Sequence, residues 1–99
     1  MTVTTELLEQ KLAISYDTEA RAAYIRLKDG RAARTVEEVA NRINLDFNAR
    51  GELIGVEIFQ PALSPAKLGV ILKKIAKKHS VPPLAHLHPS ALPHLYSIA

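Results

Sequence analysis

Residues 43–58, Ile43-Asn44-Leu45-Asp46-Phe47-Asn48-Ala49-Arg50-Gly51-Glu52-Leu53-Ile54-Gly55-Val56-Glu57-Ile58, decide the fold. Ile43, Leu45 and Phe47 alternate with Asn44 and Asp46, and Ile54, Val56 and Ile58 alternate with Gly55 and Glu57. A period of two is the strand period, in which successive side chains point to opposite faces. One apolar and one polar face mark an antiparallel sheet covered on one side only. Between the two runs, Asn48-Ala49-Arg50-Gly51 has the composition of a turn. Both apolar rows share a face only if opposed residue numbers sum to an odd value. A loop of Asn48 to Gly51, a type I turn ending with Gly51 in the left-handed region, meets that condition, whereas a loop one residue shorter would send one row into water. It predicts Leu45 opposite Ile54 and Ile43 opposite Val56.

The same period extends towards the N-terminus. Leu12, Ile14 and Tyr16 alternate with Ala13 and Ser15, and Ala23, Ile25 and Leu27 alternate with Tyr24 and Arg26. Asp29-Gly30 is a hairpin signal. The connection from Asp17 to Arg21 lacks glycine and reads as a helical turn started by Asp17. Residues 34–42 read as a strand with a bulge or bend, and residues 1–11, with Leu7 and Leu8, as a short helix or a strand extension.

After Pro61 the period changes. Ser64 followed by Pro65 is a helix start, with a hydroxyl to cap a free N–H and a proline where its missing N–H costs nothing. Leu68, Ile71, Leu72 and Ile75 then form an apolar stripe with the lysines mostly opposite, and Pro82-Pro83 stops the helix near His79 or Ser80. The expected fold is α+β, an antiparallel sheet of about four strands packed by one C-terminal amphipathic helix. The chain reads as one domain over residues 1–99, with the sheet at 12–60, a basic helix at 64–79 and a Pro/His-containing arm at 80–99.

Composition agrees. In 99 residues, 47% hydrophobic and 23% charged is globular rather than disordered. With no cysteine, disulfides and thiolate metal sites are excluded. The sequence lacks a long apolar run and a basic-then-apolar start, so the expected compartment is the cytoplasm, with no membrane partner. The net charge of +3 is local in origin, because Lys67, Lys73, Lys74, Lys77 and Lys78 fall in one segment.

The order Tyr16-Asp17, Glu19-Ala20, Ala23-Tyr24-Ile25-Arg26-Leu27, Thr35-Val36-Glu37, Asn44-Leu45-Asp46 and Gly55-Val56-Glu57-Ile58 resembles the bacterial family catalogued as domain of unknown function 2283. The resemblance runs from Ile14 to Gln60. It implies a small sheet-rich domain without established chemistry and, through relatives encoded beside small toxin-like proteins, an antitoxin-like binding role. Arg21 stands where the family has an acidic residue, and Val39-Ala40-Asn41-Arg42 replaces its Asp-Gly turn. The helix and the arm lie outside the resemblance.

Candidate chemistry is sparse. His86 and His88 would share one face of an extended segment, with His94 and His79 as further possible metal ligands, but every Asp and Glu precedes residue 58 and none lies in the arm. Residues 46–57 carry Asp46, Asn48 and Gly51 in the spacing of a calcium loop, but Arg50 occupies a ligand position and strands flank it, so a hairpin is expected. The serines lie outside any nucleophile context, and the pair Asp46 and Glu57 is expected to be solvated, without a raised pKa. No catalytic residue and no cofactor is assigned. Lys67, Lys73, Lys74, Lys77 and Lys78 could bind phosphate as point charges, but the chain has no tryptophan for base stacking. The expectation is a non-enzymatic protein-binding or oligomerisation module, with self-association or a small protein partner. The alternative is a nucleic-acid-binding module using the lysine-rich helix face. The arm's Leu84, Leu87, Leu92, Leu95 and Ile98 are too apolar for a free tail, and so should cover the chain's own sheet or a neighbour's.

Overall fold

The strand at Leu12–Asp17 is buried at Leu12, Ile14 and Tyr16 and only half-buried between them, the alternation expected of a sheet with one covered face. In the computed structural model, which describes residues 2–7 by their backbone together with residues 12–88, 92 and 95, six strands pair antiparallel. They are β1 (Thr2–Leu7), β2 (Leu12–Asp17), β3 (Ala22–Arg26), β4 (Arg34–Val39), β5 (Ile43–Phe47) and β6 (Leu53–Phe59), in the spatial order β1-β2-β3-β6-β5-β4. The sheet is thus wider than the about four strands expected. β1 adds one edge and β4 the other, and neither has the clean apolar alternation that marks the central four.

Local chemistry sets the connections. Asp17 Oδ1 accepts from the backbone N–H groups of Glu19 and Ala20 at 2.9 and 3.1 Å, starting the helical turn expected there, and Arg21 takes a φ of 55° before β3 begins. β4 carries its expected irregularity between Glu37 and Val39, and Asn41, a residue tolerant of the left-handed region, turns the chain at a φ of 60°.

The β5–β6 hairpin corrects the expected register. Gly51 is left-handed at a φ of 81°, as its place in the turn requires, but the loop closes one residue later, with the Asn48 N–H donating to the Glu52 carbonyl at 3.0 Å. The Asn48 side chain causes this, because its Oδ1 accepts from the N–H groups of both Arg50 and Glu52 at 3.0 Å. Phe47 then faces Leu53, Ile54 is an extra bulged residue, and beyond it Leu45 faces Val56 and Ile43 faces Ile58. Parity survives and the register slides by two. Leu53 joins the core cluster in place of Ile54, whose carbonyl instead accepts from Leu27 N–H at 2.9 Å.

α1 (Pro65–His79) starts where Ser64 Oγ accepts from Lys67 N–H at 3.3 Å and ends on left-handed Ser80. It buries Leu68, Leu72, Ile75 and Ala76. Ile71, expected in that stripe, is only half-buried, and Ala76 takes the inward position. α2 (Pro82–Ala85) opens the arm. Leu84, Leu87, Leu92 and Leu95 are buried in the same cluster as the sheet and α1, so the arm covers its own domain over these residues. Gln60 ties it down, accepting from the Tyr16 hydroxyl at 2.5 Å and donating to the Leu95 carbonyl at 3.0 Å. Ile98 lies outside the described residues.

Candidate functional site

With α1 and the arm on one face, the polar residues of the alternation collect on the other. Register fixes their neighbours. Tyr24 on β3 stands between Ser15 on β2 and Glu57 on β6, and Glu57 is in turn opposite Asn44 on β5. In the next row, Arg26, Gly55, Asp46 and Thr35 lie side by side across β3, β6, β5 and β4.

The two rows are stitched together by Tyr24. Its ring lies diagonally over β6, where Gly55 offers no side chain, and its hydroxyl donates to Asp46 Oδ2 on the far strand at 3.0 Å. Thr35 Oγ1 donates to the other carboxylate oxygen at 2.6 Å, so donors from two strands hold Asp46. The Arg26 guanidinium lies 5.4 Å from the centre of the Tyr24 ring, within cation–π range.

The electrostatics follow from this crowding. Partial burial, and then the hydrogen bond to Asp46 and its charge, push the Tyr24 phenol up from 10.0 to about 12, so at neutral pH it is a fixed donor. Glu57 is also pushed above the usual carboxylate value, first by burial and then by the charge of Asp46, while a hydrogen bond from Asn44 pulls the other way. The expectation that Asp46 and Glu57 are simply solvated is therefore corrected. Both are half-buried, because the broad tyrosine ring shelters a face that sequence alternation reads only as polar. Gly55 in the interior of a strand was the available signal, since such a glycine often marks the close approach of another group.

The expected candidate residues do not converge with this site. Lys67, Lys73, Lys74, Lys77 and Lys78 are all exposed on α1, on the covered side of the sheet, and none forms an ion pair among the described residues, where Lys28 pairs with Glu52 at 2.6 Å. His86 and His88 are exposed on either side of buried Leu87, His79 makes an edge contact with the Phe47 ring at 5.3 Å, and His94 lies outside the described residues. Among the described residues no three His, Cys, Asp or Glu side chains gather as metal ligands would. No helix among them is long and apolar enough to cross a membrane. Residues 46–57 form the hairpin and not a calcium loop.

Tyr24, Asn44, Asp46, Gly55 and Glu57 all fall within residues 13–60, which match the family model described as protein of unknown function (DUF2283). Over these residues the chain matches the DUF2283 family. The DUF2283 segment supplies β2 to β6, and therefore the whole Tyr24–Asp46–Glu57 network, while α1 and the arm supply the cover on its other face. No curated protein and no solved structure significantly matches the chain.

Proposed function

We propose that this protein is a non-enzymatic protein-binding module that presents the outer face of its sheet to a basic segment of a partner. The observation that carries the reading is the placing of Glu57 and Asp46 in adjacent rows of that face, two half-buried carboxylates, with the pKa of Glu57 raised first by burial and then by the charge of Asp46. Asp17 adds to the same field. A lysine or arginine placed between the carboxylates offsets their charge, and the Tyr24 ring beside them offers an aromatic surface for its alkyl stem. Catalysis fits less well. Asp46 is occupied by two donors, and Tyr24 is moved away from the neutral range in which a proton-transfer group works best. A small toxin-like protein, the partner type implied by the family resemblance, is accommodated if it offers such a basic segment.

The test is a nuclear magnetic resonance titration of the full chain with a synthetic arginine-rich peptide, its glutamate-rich counterpart and random duplex DNA. The arginine-rich peptide should shift the amides of Tyr24, Asp46 and Glu57 in a salt-sensitive way, and Asp46→Asn should weaken the effect. Shifts confined to Lys67, Lys73, Lys74, Lys77 and Lys78 on adding DNA would favour the nucleic-acid reading instead.

A further inference from the structure

A concavity opens between α1 and the arm, on the covered side of the sheet. It has a volume of about 460 Å³ and is lined from α1 by Ala66, Gly69, Val70 and Lys73 and from the arm by His86 and His88. The arm's alternation puts the histidines there, because Leu87 between them is buried in the core and its two neighbours are left outside it. Lys73 reaches the cavity from the exposed side of α1, and Ala66 and Gly69, two turns and one turn before it, are small enough to keep the space open. From residue 58 on the sequence contains no Asp or Glu, so neither wall contributes a carboxylate side chain.

We propose that this cavity binds a phosphate-class dianion, inorganic phosphate or a small phosphomonoester, through Lys73, His86 and His88. One ammonium and two imidazoles reach it from two elements, and a group with close to two negative charges and three strong acceptor oxygens matches all three. A carboxylate, with one charge and two oxygens, would leave part of that set unused. The lysine also decides against a metal ion, the other use of a His-x-His pair, because an ammonium has no lone pair to give and repels a cation placed beside it. Val70 adds an apolar wall for the organic part of a phosphomonoester, and the volume is that of an ordinary small-ligand site. An imidazole takes up its proton between about pH 5 and 8, so the positive charge of the site grows as pH falls through that range. Among the described residues the charged group that shares the cavity with the imidazoles is Lys73, while Lys67 lies beyond it in the wall of a neighbouring apolar groove.

The site shares no residue with the Tyr24–Asp46–Glu57 face, so it is independent of the partner-binding reading above. The test follows the histidine ring signals of the full chain by nuclear magnetic resonance during titration with inorganic phosphate and with phenyl phosphate. The signals of His86 and His88 should shift together and saturate. Tighter binding of phenyl phosphate would identify an organic monoester as the ligand, and tighter binding of inorganic phosphate the free ion. Lys73→Gln, and separately the double change of His86→Gln with His88→Gln, should weaken binding by about tenfold. Wild-type affinity should fall severalfold from about pH 6.5 to about 8.5, where the imidazoles lose their protons while phosphate keeps its charge. Lys74→Gln removes the same charge from α1 outside the cavity and should leave the affinity within about twofold. All these side chains are exposed, so the unfolding midpoint should not move. Histidine signals that stay in place, or equal losses in Lys73→Gln and Lys74→Gln, would overturn the proposal. So would zinc binding that tightens in Lys73→Gln without any response to phosphate, or binding of duplex DNA across Lys73, Lys74, Lys77 and Lys78 by a chain that ignores both phosphate ligands.

Discussion

Replacing Gly55 by alanine inverts a familiar sign. In a strand interior, glycine is about 0.5–1 kcal/mol worse than alanine because of the backbone entropy it loses, so an ordinary Gly→Ala change there stabilises. At Gly55 the added Cβ would stand 2.8 Å from Tyr24 Cε2, and closer still to the ring's Cζ and hydroxyl oxygen. The ring must leave its place over β6 and give up its hydrogen bond to Asp46. A hydrogen bond to a charged group contributes about 1.5–3 kcal/mol, so after the alanine gain the net loss should be about 0.5–2.5 kcal/mol. At about 4–8 °C per kcal/mol for a chain of this size, the unfolding midpoint falls visibly. The decisive assay is a urea-unfolding cycle with Tyr24→Ala. Gly55→Ala should destabilise the wild-type chain and stabilise the Tyr24→Ala chain by about 0.5–1 kcal/mol. In Gly55→Ala the last-titrating tyrosine, followed by ultraviolet absorbance, should move back from about 12 towards 10.0. A Gly55→Ala protein at least as stable as wild type in both backgrounds would refute the placement of Tyr24.

Glu57 holds its proton more tightly when folded than when unfolded, so its contribution is harmless in acid and increasingly destabilising as pH rises from the ordinary value of 4.5 through its raised one. Glu57→Gln should therefore be more stable than wild type at neutral pH and similar to it in acid, as read from denaturant midpoints against pH. Leu72→Ala, which opens the buried face of α1, should cost about 2–5 kcal/mol, whereas Lys74→Ala on the exposed face should stay within about 0.5 kcal/mol. Equal effects would place the helix with the wrong face inward. Deleting residues 82–99 removes four buried leucines, each contributing about 1.5–3 kcal/mol before ordering costs, so the midpoint should drop sharply. An unchanged midpoint would show that the arm does not belong to the core.

Much of this architecture is legible in the sequence, because the alternation of Ile43, Leu45 and Phe47 and the Ser64-Pro65 start are local signals with local causes. The exact hairpin register is not, since it turns on one side chain. Asn48 captures two backbone N–H groups and lengthens the loop, and Ile54 bulges to restore the buried row. β4 kept its bulge as read, but β1 gives no periodic signal to distinguish a strand from a helix. The candidate site was the least visible. Periodicity places Tyr24, Asp46 and Glu57 on one face, but nothing in it says that a tyrosine crosses a neighbouring strand to reach the carboxylate beyond. Only Gly55 pointed there, through the absence of a side chain. The arm's leucines were rightly read as needing cover, and the residue that anchors them, Gln60, lies at the end of the sheet it shares with Tyr16.

The direct test of the outer face as a recognition surface is the carboxyl titration of Glu57, followed by nuclear magnetic resonance in the free chain and with saturating arginine-rich peptide. The free chain should show Glu57 titrating above the ordinary 4.5. Bound peptide should bring that value down, because a cation beside Asp46 and Glu57 favours the ionised form, and by linkage the peptide should bind more tightly as pH rises through the same range. A Glu57 that titrates identically with and without the peptide, while the peptide binds elsewhere on the molecule, would contradict the assignment of this face.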